Sequence, residues 1–298
     1  MPVERRLGSA ALSRLLPMPR PSDDAPEQHR SPPEELEPRE REQADEEEKV
    51  NASVTHEVIR REGLKELERP AAALAWSAFA AGLAMGLSLL TQAVLHHHLP
   101  ESEWRPLVTA IGYAVGFLVV ILGSQQLFTE NTLTPIVPLM SHWSTTMLRR
   151  VLVLWGVVLA ANLVGTAVFA LAAARSPALS PELRDAARTL ALTATSHAPR
   201  EVFSTGVLAG FIIALMVWML PAASGSEPFV ILAMSWLVGA AGLSHVIVGA
   251  VDAFFLVWTG DRSLADAIGG YILPALAGNT LGGVALVAGI NHAQVRSS

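Results

Sequence analysis

The sequence has no cysteine in its 298 residues, so disulfides and thiolate chemistry are excluded. It also lacks charge over long distances. Beyond Pro70, charged residues fall almost only in short breaks between apolar runs, while acids crowd between Glu34 and Glu48. The formal net charge of −6 therefore describes the N-terminal tail and not the rest. The N-terminus does not read as a convincing secretory signal either. Residues 7–16 are mildly apolar and follow Arg5 and Arg6, but Arg14 interrupts them and no small-residue cleavage site follows.

What is present is hydrophobic sequence. The chain is 51% hydrophobic with a mean hydropathy of +0.39, too apolar for an ordinary soluble domain. A membrane-crossing helix needs about 20 apolar residues. Five runs qualify, at roughly 71–95, 106–128, 151–174, 203–223 and 266–290. A sixth, 228–258, is longer and is interrupted by Gly239, Gly242 and Ser244. In hydrocarbon every backbone polar group needs an internal partner, so these runs are expected to be helices. The expected fold is an all-α membrane protein with six transmembrane helices. Three regions follow: a disordered acidic tail over 1–49, a short juxtamembrane helix over 50–69, and a transmembrane channel domain over 70–292. The helix over 50–69 has mixed charge and no clean apolar stripe, so it binds a membrane surface weakly at best. Pro70 fits the first turn of the first span, where its missing N–H costs nothing.

Six spans place both termini on one side. Lys and Arg near the span ends are almost evenly divided, so the positive-inside rule does not decide which side. A long acidic tail is easier to retain than to export, which points to a multi-pass protein of the inner (cytoplasmic) membrane with cytoplasmic termini.

The two halves echo each other. Leu127-Phe128-Thr129 interrupts the second run and Asn162-Leu163-Val164-Gly165 lies in the third. Gly242-Leu243-Ser244-His245 interrupts the fifth and Asn279-Thr280-Leu281-Gly282 lies in the sixth. Thr129 to Asn162 spans 33 residues and His245 to Asn279 spans 34. Each half is three spans with a broken middle one. Three is odd, so the second half is inverted relative to the first. Inverted repeats with paired broken helices put a permeation site near the bilayer midplane, where half-helix ends aim their dipoles.

These motifs, together with Gly123-Ser124-Gln125-Gln126, Gly206-Val207-Leu208-Ala209, Val217-Trp218-Met219 and Gly278-Asn279-Thr280-Leu281-Gly282-Gly283, resemble the formate/nitrite transporter family over about residues 70–290. The acidic tail is similar to that of its YfdC-like branch. The resemblance implies an aquaporin-like protomer with its own pore, assembled as a homopentamer in the lipid bilayer and carrying a small anion or its weak acid. It implies a pore centre at Leu127, Phe128, Thr129 and His245. Several positions depart from the family pattern. Gln126 stands where an acid usually precedes Leu-Phe-Thr, and Glu130 follows it. Ser244 replaces an acid before the histidine, Gly249 an asparagine four residues after it, and Val238 an aromatic seven before it. The lysine expected outside the fourth span has no match.

His245 is the central candidate, because an ionisable residue inside a span is costly and marks function by default. Leu127 and Phe128 supply a greasy constriction. His245 then either delivers a proton, so that a neutral acid crosses, or rests neutral as a hydrogen-bond donor. Asp252 shares its helical face two turns on and lines the mouth or faces a neighbour. Glu130 belongs in the central loop or just past it. Asn162 and Asn279 touch permeant groups or, more in keeping with their place, pin the broken helices through freed backbone groups. Gly82, Gly86, Gly165, Gly206, Gly282 and Gly283 read as close packing contacts. His96, His97 and His98 point three ways on a helix and make no metal site. No cofactor, metal or nucleic-acid partner is expected, and no enzyme activity. The rival reading is a closed scaffold or sensor working through its tail, and an intramembrane enzyme is a more distant one.

Overall fold

The computed structural model describes residues 52–297; the acidic tail expected over 1–49 lies outside the described residues. Every regular element described is helical. In chain order these are α1 (Ala52–Glu68), α2 (Ala71–His98), α3 (Arg105–Leu122), α4 (Ile136–Ser141), α5 (Thr145–Arg175), α6 (Pro181–Ala194), α7 (Pro199–Met219), α8 (Glu227–Ala240) and α9 (Val246–Thr259). The last helical run opens as α10 (Leu264–Asp266), widens to a π-helix over Ala267–Ile272, and tightens into α11 (Leu273–Leu281). It widens again over Gly282–Ala288 and ends as α12 (Gly289–Ser297).

Five helices are long and apolar enough to cross a membrane: α2, α3, α5, α7 with its continuation to Ala222, and the run Leu264–Asn291. The sixth apolar run divides into α8 and α9, each too short to cross alone. The second run also stops earlier than its apolar length suggests. Its helix ends at Leu122, and residues 123–129 leave the helix before a 3-10 turn over Glu130–Thr132 and the short α4. Large apolar side chains on the outer surface, such as Trp76 at 74% exposure and Phe229 at 72%, fit an apolar surrounding.

Within each half the packing is the same. In the first, α2 lies against α3 and α5; in the second, α7 lies against α8 and α11. Small residues permit the closest approaches. A side chain on Gly82 would strike the backbone of Asn162, and one on Gly210 the backbone of Asn279. The halves meet through their middle elements, with α3 against α8 and α9 against α5.

Two helices differ from the sequence-based reading. Helix α6 arises in what reads as a loop. It is capped by the Ser180 hydroxyl, begins with Pro181, and buries only the small residues Ala186, Ala187 and Ala191. Helix α1 lies on the protein itself. It packs against α4 and buries Thr55, His56, Ile59 and Gly63, with Gly63 against the Thr134 backbone. His56 meets Trp218 edge to face at 6.4 Å. The face escapes a hydrophobicity pattern because three of its four members are small or polar.

Candidate functional site

The site is built around two breaks that follow the same hydrogen-bond plan. After α3, the backbone N–H groups of Gly123, Ser124 and Gln125 donate to Val119, Ile121 and Val120. After α8, those of Ala241, Gly242 and Leu243 donate to Leu237, Gly239 and Val238. The second residue of each trio takes a left-handed conformation, Ser124 at φ 50° and Gly242 at φ 63°. Beyond this point the chain is extended, its backbone groups are freed, and one asparagine per half collects them. Asn162 Oδ1 accepts from the Phe128 N–H at 2.9 Å, while Nδ2 donates to the carbonyls of Ala78 (2.7 Å) and Gln126 (2.9 Å). Asn279 Oδ1 accepts from the Val246 N–H at 2.8 Å, while Nδ2 donates to those of Gly206 (2.8 Å) and Ser244 (2.9 Å). Both asparagines are fully buried, which is where such a network has most effect.

This bonding corrects the register of the repeat. Phe128 corresponds to Val246 and Gln126 to Ser244, so Leu127 stands where His245 does. Thr129, which the motif spacing pairs with His245, instead corresponds to Ile247. Thr129 and His245 are not equivalent positions but partners across the interface between the halves. Thr129 Oγ1 and His245 Nε2 lie 2.8 Å apart, each residue 1% exposed. His245 is also the N-cap of α9, its Nδ1 accepting the Val248 N–H at 3.3 Å. With Nδ1 accepting, the proton of a neutral ring sits on Nε2 and is donated to the Thr129 hydroxyl. Phe117 packs its ring against His245 at 5.1 Å, and Leu127 and Phe128 are buried beside them. The α9 N-terminus adds partial positive charge to this closed centre.

On the side of α1, Gln126 Oε1 accepts from Asn131 Nδ2, and the Asn131 carbonyl accepts from Trp155 Nε1 at 2.8 Å. Glu130 follows the centre there, with its Oε1 buried and without a hydrogen-bond partner. On the other side a cavity of about 660 Å³ runs from the ends of α2 and α6 down to Gly242 and Leu243. Asp252 lines it. Val238, at the place of the expected aromatic, also lines it. His96 and Arg105 stand at its rim, where Arg105 Nη2 donates to the His96 carbonyl and Nη1 lies 3.6 Å from Glu101. Among the described residues no group of three His, Asp or Glu is arranged to hold a metal.

Sequence reasoning missed two side chains here. The chain has two tyrosines, Tyr113 and Tyr271, and both line this cavity. Tyr113 stacks on Phe117 at 5.6 Å, continuing the aromatic line from cavity to His245. Tyr271 lies in the first π-helical stretch and fills the space a Gly249 side chain would take. Its hydroxyl interacts with the Ser244 side chain and the His245 backbone. The signal was the glycine at position 249: a small residue in place of a polar one leaves room that some other group fills.

A family model described as formate/nitrite transporter matches residues 53–293. The inner membrane protein YfdC of Escherichia coli (strain K12) is 41% identical over 246 residues, 83% of this chain and 79% of that one. The nitrite transporter NirC of Salmonella typhimurium (strain LT2) is 27% identical over 218 residues, 68% of this chain and 76% of its own. Among solved structures, an FNT family ion channel superposes with a TM-score of 0.69 at 21% identity, covering 80% of this chain and 98% of that one. A pentameric formate channel with formate bound gives 0.61 at 19%, covering 76% and 98%.

Proposed function

Since the chain belongs to the formate/nitrite transporter family, a family of membrane transporters and not of enzymes, we propose that it passes a small monovalent weak acid through the His245–Thr129 centre. The permeant crosses together with its proton. The observation that carries this is the bonding of the His245 ring. Nδ1 is engaged by the Val248 N–H, and Nε2 faces Thr129 between two greasy residues. A bare anion pays heavily for desolvation in such a place, whereas a neutral acid needs only hydrogen bonds. The neutral imidazole, relayed through the Thr129 hydroxyl, is then a fixed donor to the permeant's oxygen. Proton linkage comes from the acid itself rather than from cycling of the ring. Formate and nitrite are the permeants to test first, because relatives carry those names. A homopentamer in the inner membrane with both termini cytoplasmic completes the proposal, in keeping with the pentameric structural neighbour and the inner-membrane relative.

The test is formate and nitrite uptake into proteoliposomes, comparing the wild type with His245→Asn and His245→Ala. Asparagine keeps both a cap for α9 and a side-chain donor, so it should retain a large share of flux. Alanine removes both, and flux should fall about tenfold or more, the effect of about 1.4 kcal/mol on a barrier. Equal flux and equal pH profile in all three proteins would sink the proposal. Loss of flux in a correctly assembled His245→Asn protein would instead require the titrating ring.

A further inference from the structure

The cavity above the centre contains a group that an anion passage does not call for. Asp252 sits on α9 two turns beyond His245, on the same helical face. It is 7% exposed, and what exposure it has is toward the cavity it lines. Among the described residues no hydrogen bond or ion pair reaches its carboxylate. A carboxylate taken out of bulk water is ordinarily paired, so one left open to a cavity is available to a ligand. Its neighbours are the two phenols, Tyr113 from α3 and Tyr271 from the π-helical stretch. At the rim stand Glu101, Glu103, His96 and Arg105. Arg105, the one arginine there, is turned back onto the His96 carbonyl and toward Glu101.

We propose that this cavity is a binding site for the uncharged form of a small oxyacid, with Asp252 accepting the hydrogen bond of the acid O–H and the Tyr113 and Tyr271 hydroxyls donating to its other oxygen. The inference rests on the reading of the centre as a passage for a weak acid and goes beyond it, since it places selection before the histidine is reached. A carboxylate beside two phenols matches a molecule with one donor and one acceptor. It repels the conjugate base, and because Asp252 is itself largely buried the repulsion is screened less than at an exposed carboxylate. The acid is protonated in the water outside, and the cavity admits it in that form. The open space at Gly249 is part of this arrangement, because it is what lets the Tyr271 ring approach α9.

The experiment has two arms on the purified full-length protein. The first compares radiolabelled formate uptake into proteoliposomes with sodium formate current across planar bilayers. The wild type should take up formate with little current. Asp252→Asn, nearly isosteric, should raise the current at least tenfold, and an unchanged current overturns the proposal. The second arm labels Asp252 with dicyclohexylcarbodiimide, read by peptide mass. Formic acid should slow the labelling of Asp252 relative to that of Glu227, a carboxyl outside the cavity whose labelling in the same sample corrects for reagent the acid consumes, and methylammonium chloride should not. Protection by methylammonium alone would mark a cation site and overturn the proposal, as would protection by neither. If Asp252→Asn does not assemble, Tyr271→Phe replaces it, with formic acid protection expected to weaken at least threefold; undiminished protection counts against the proposal. If the wild type passes no formate in either form, the reading of the centre fails. The labelling arm still judges the cavity by itself.

Discussion

The two breaks share a skeleton and differ in everything attached to it. Each ends a helix with the same three backbone bonds, turns through a left-handed residue, and is held by one asparagine bonded to three backbone groups. Yet Leu127 occupies the position that His245 occupies in the second half. A hydroxyl on the first helix of each half also meets the break: Ser77 Oγ accepts the Gln126 N–H, and Thr205 Oγ1 bonds Ser244 Oγ. After the first break the chain makes a 3-10 turn and a helix of six residues; after the second it runs straight into fourteen. The comparison teaches that the frame is carried by backbone groups and two amides, so that side chains between them are free to specialise. The histidine lies on the second break, and to the centre the first contributes Leu127, Phe128 and the Thr129 hydroxyl.

The strongest way to break this comparison is to remove either amide. Asn162→Ala and Asn279→Ala each orphan one N–H and one carbonyl of a break in a buried place, at about 1–3 kcal/mol per group. Both should lower the thermal unfolding midpoint in detergent severely and by similar amounts. A large effect from one and a negligible effect from the other would show that the halves are not held alike. A smaller effect sharpens the difference at the turns. Ser124 adopts a left-handed conformation that glycine adopts freely, so Ser124→Gly should stabilise by about 1 kcal/mol, while Gly242→Ala should destabilise by about as much. Differential scanning fluorimetry on the two variants reads both signs, and the same sign for both would contradict the geometry.

The smallest expected effect lies outside the repeat. Glu57 on α1 accepts from Arg60 and Arg61, and those bonds hold its carboxyl down at about 2 against an ordinary 4.5. A depressed carboxyl stabilises above its unfolded value and loses that contribution as pH falls through its folded one. The protection of α1 amides, taken relative to their intrinsic exchange rate at each pH, should therefore fall between about pH 4.5 and 2, and Glu57→Gln should abolish that fall. Protection that is flat over that window in the wild type would show that the ion pairs do not steady the helix.

Much of this was legible in the sequence, because lipid imposes run length and internal hydrogen bonding on any spanning segment. The apolar runs marked the spans, and the paired Asn-x-x-Gly motifs marked the repeat. The register was not legible. Thr129 and His245 are polar residues at similar spacing from their asparagines, and only the bonded backbone shows Leu127 to be the counterpart of the histidine. The π-helical stretches carry no pattern of their own, so Tyr271 gave no sign that it reaches Gly249. Helix α6 rests on alanines and α1 on threonine, histidine and glycine, contacts too small for a hydrophobicity pattern to register.

The asparagine clamps also set an order of events for a chain that enters the membrane from its N-terminus onward. The Phe128 N–H and the Gln126 carbonyl find their partner only when Asn162 arrives on the third span. Until then the unwound stretch cannot face lipid and must remain sheltered at the insertion machinery. The second half repeats the wait with Asn279, close to the end of the chain. A chain that stops short of either asparagine therefore lacks the partner of one N–H and one carbonyl in the corresponding break.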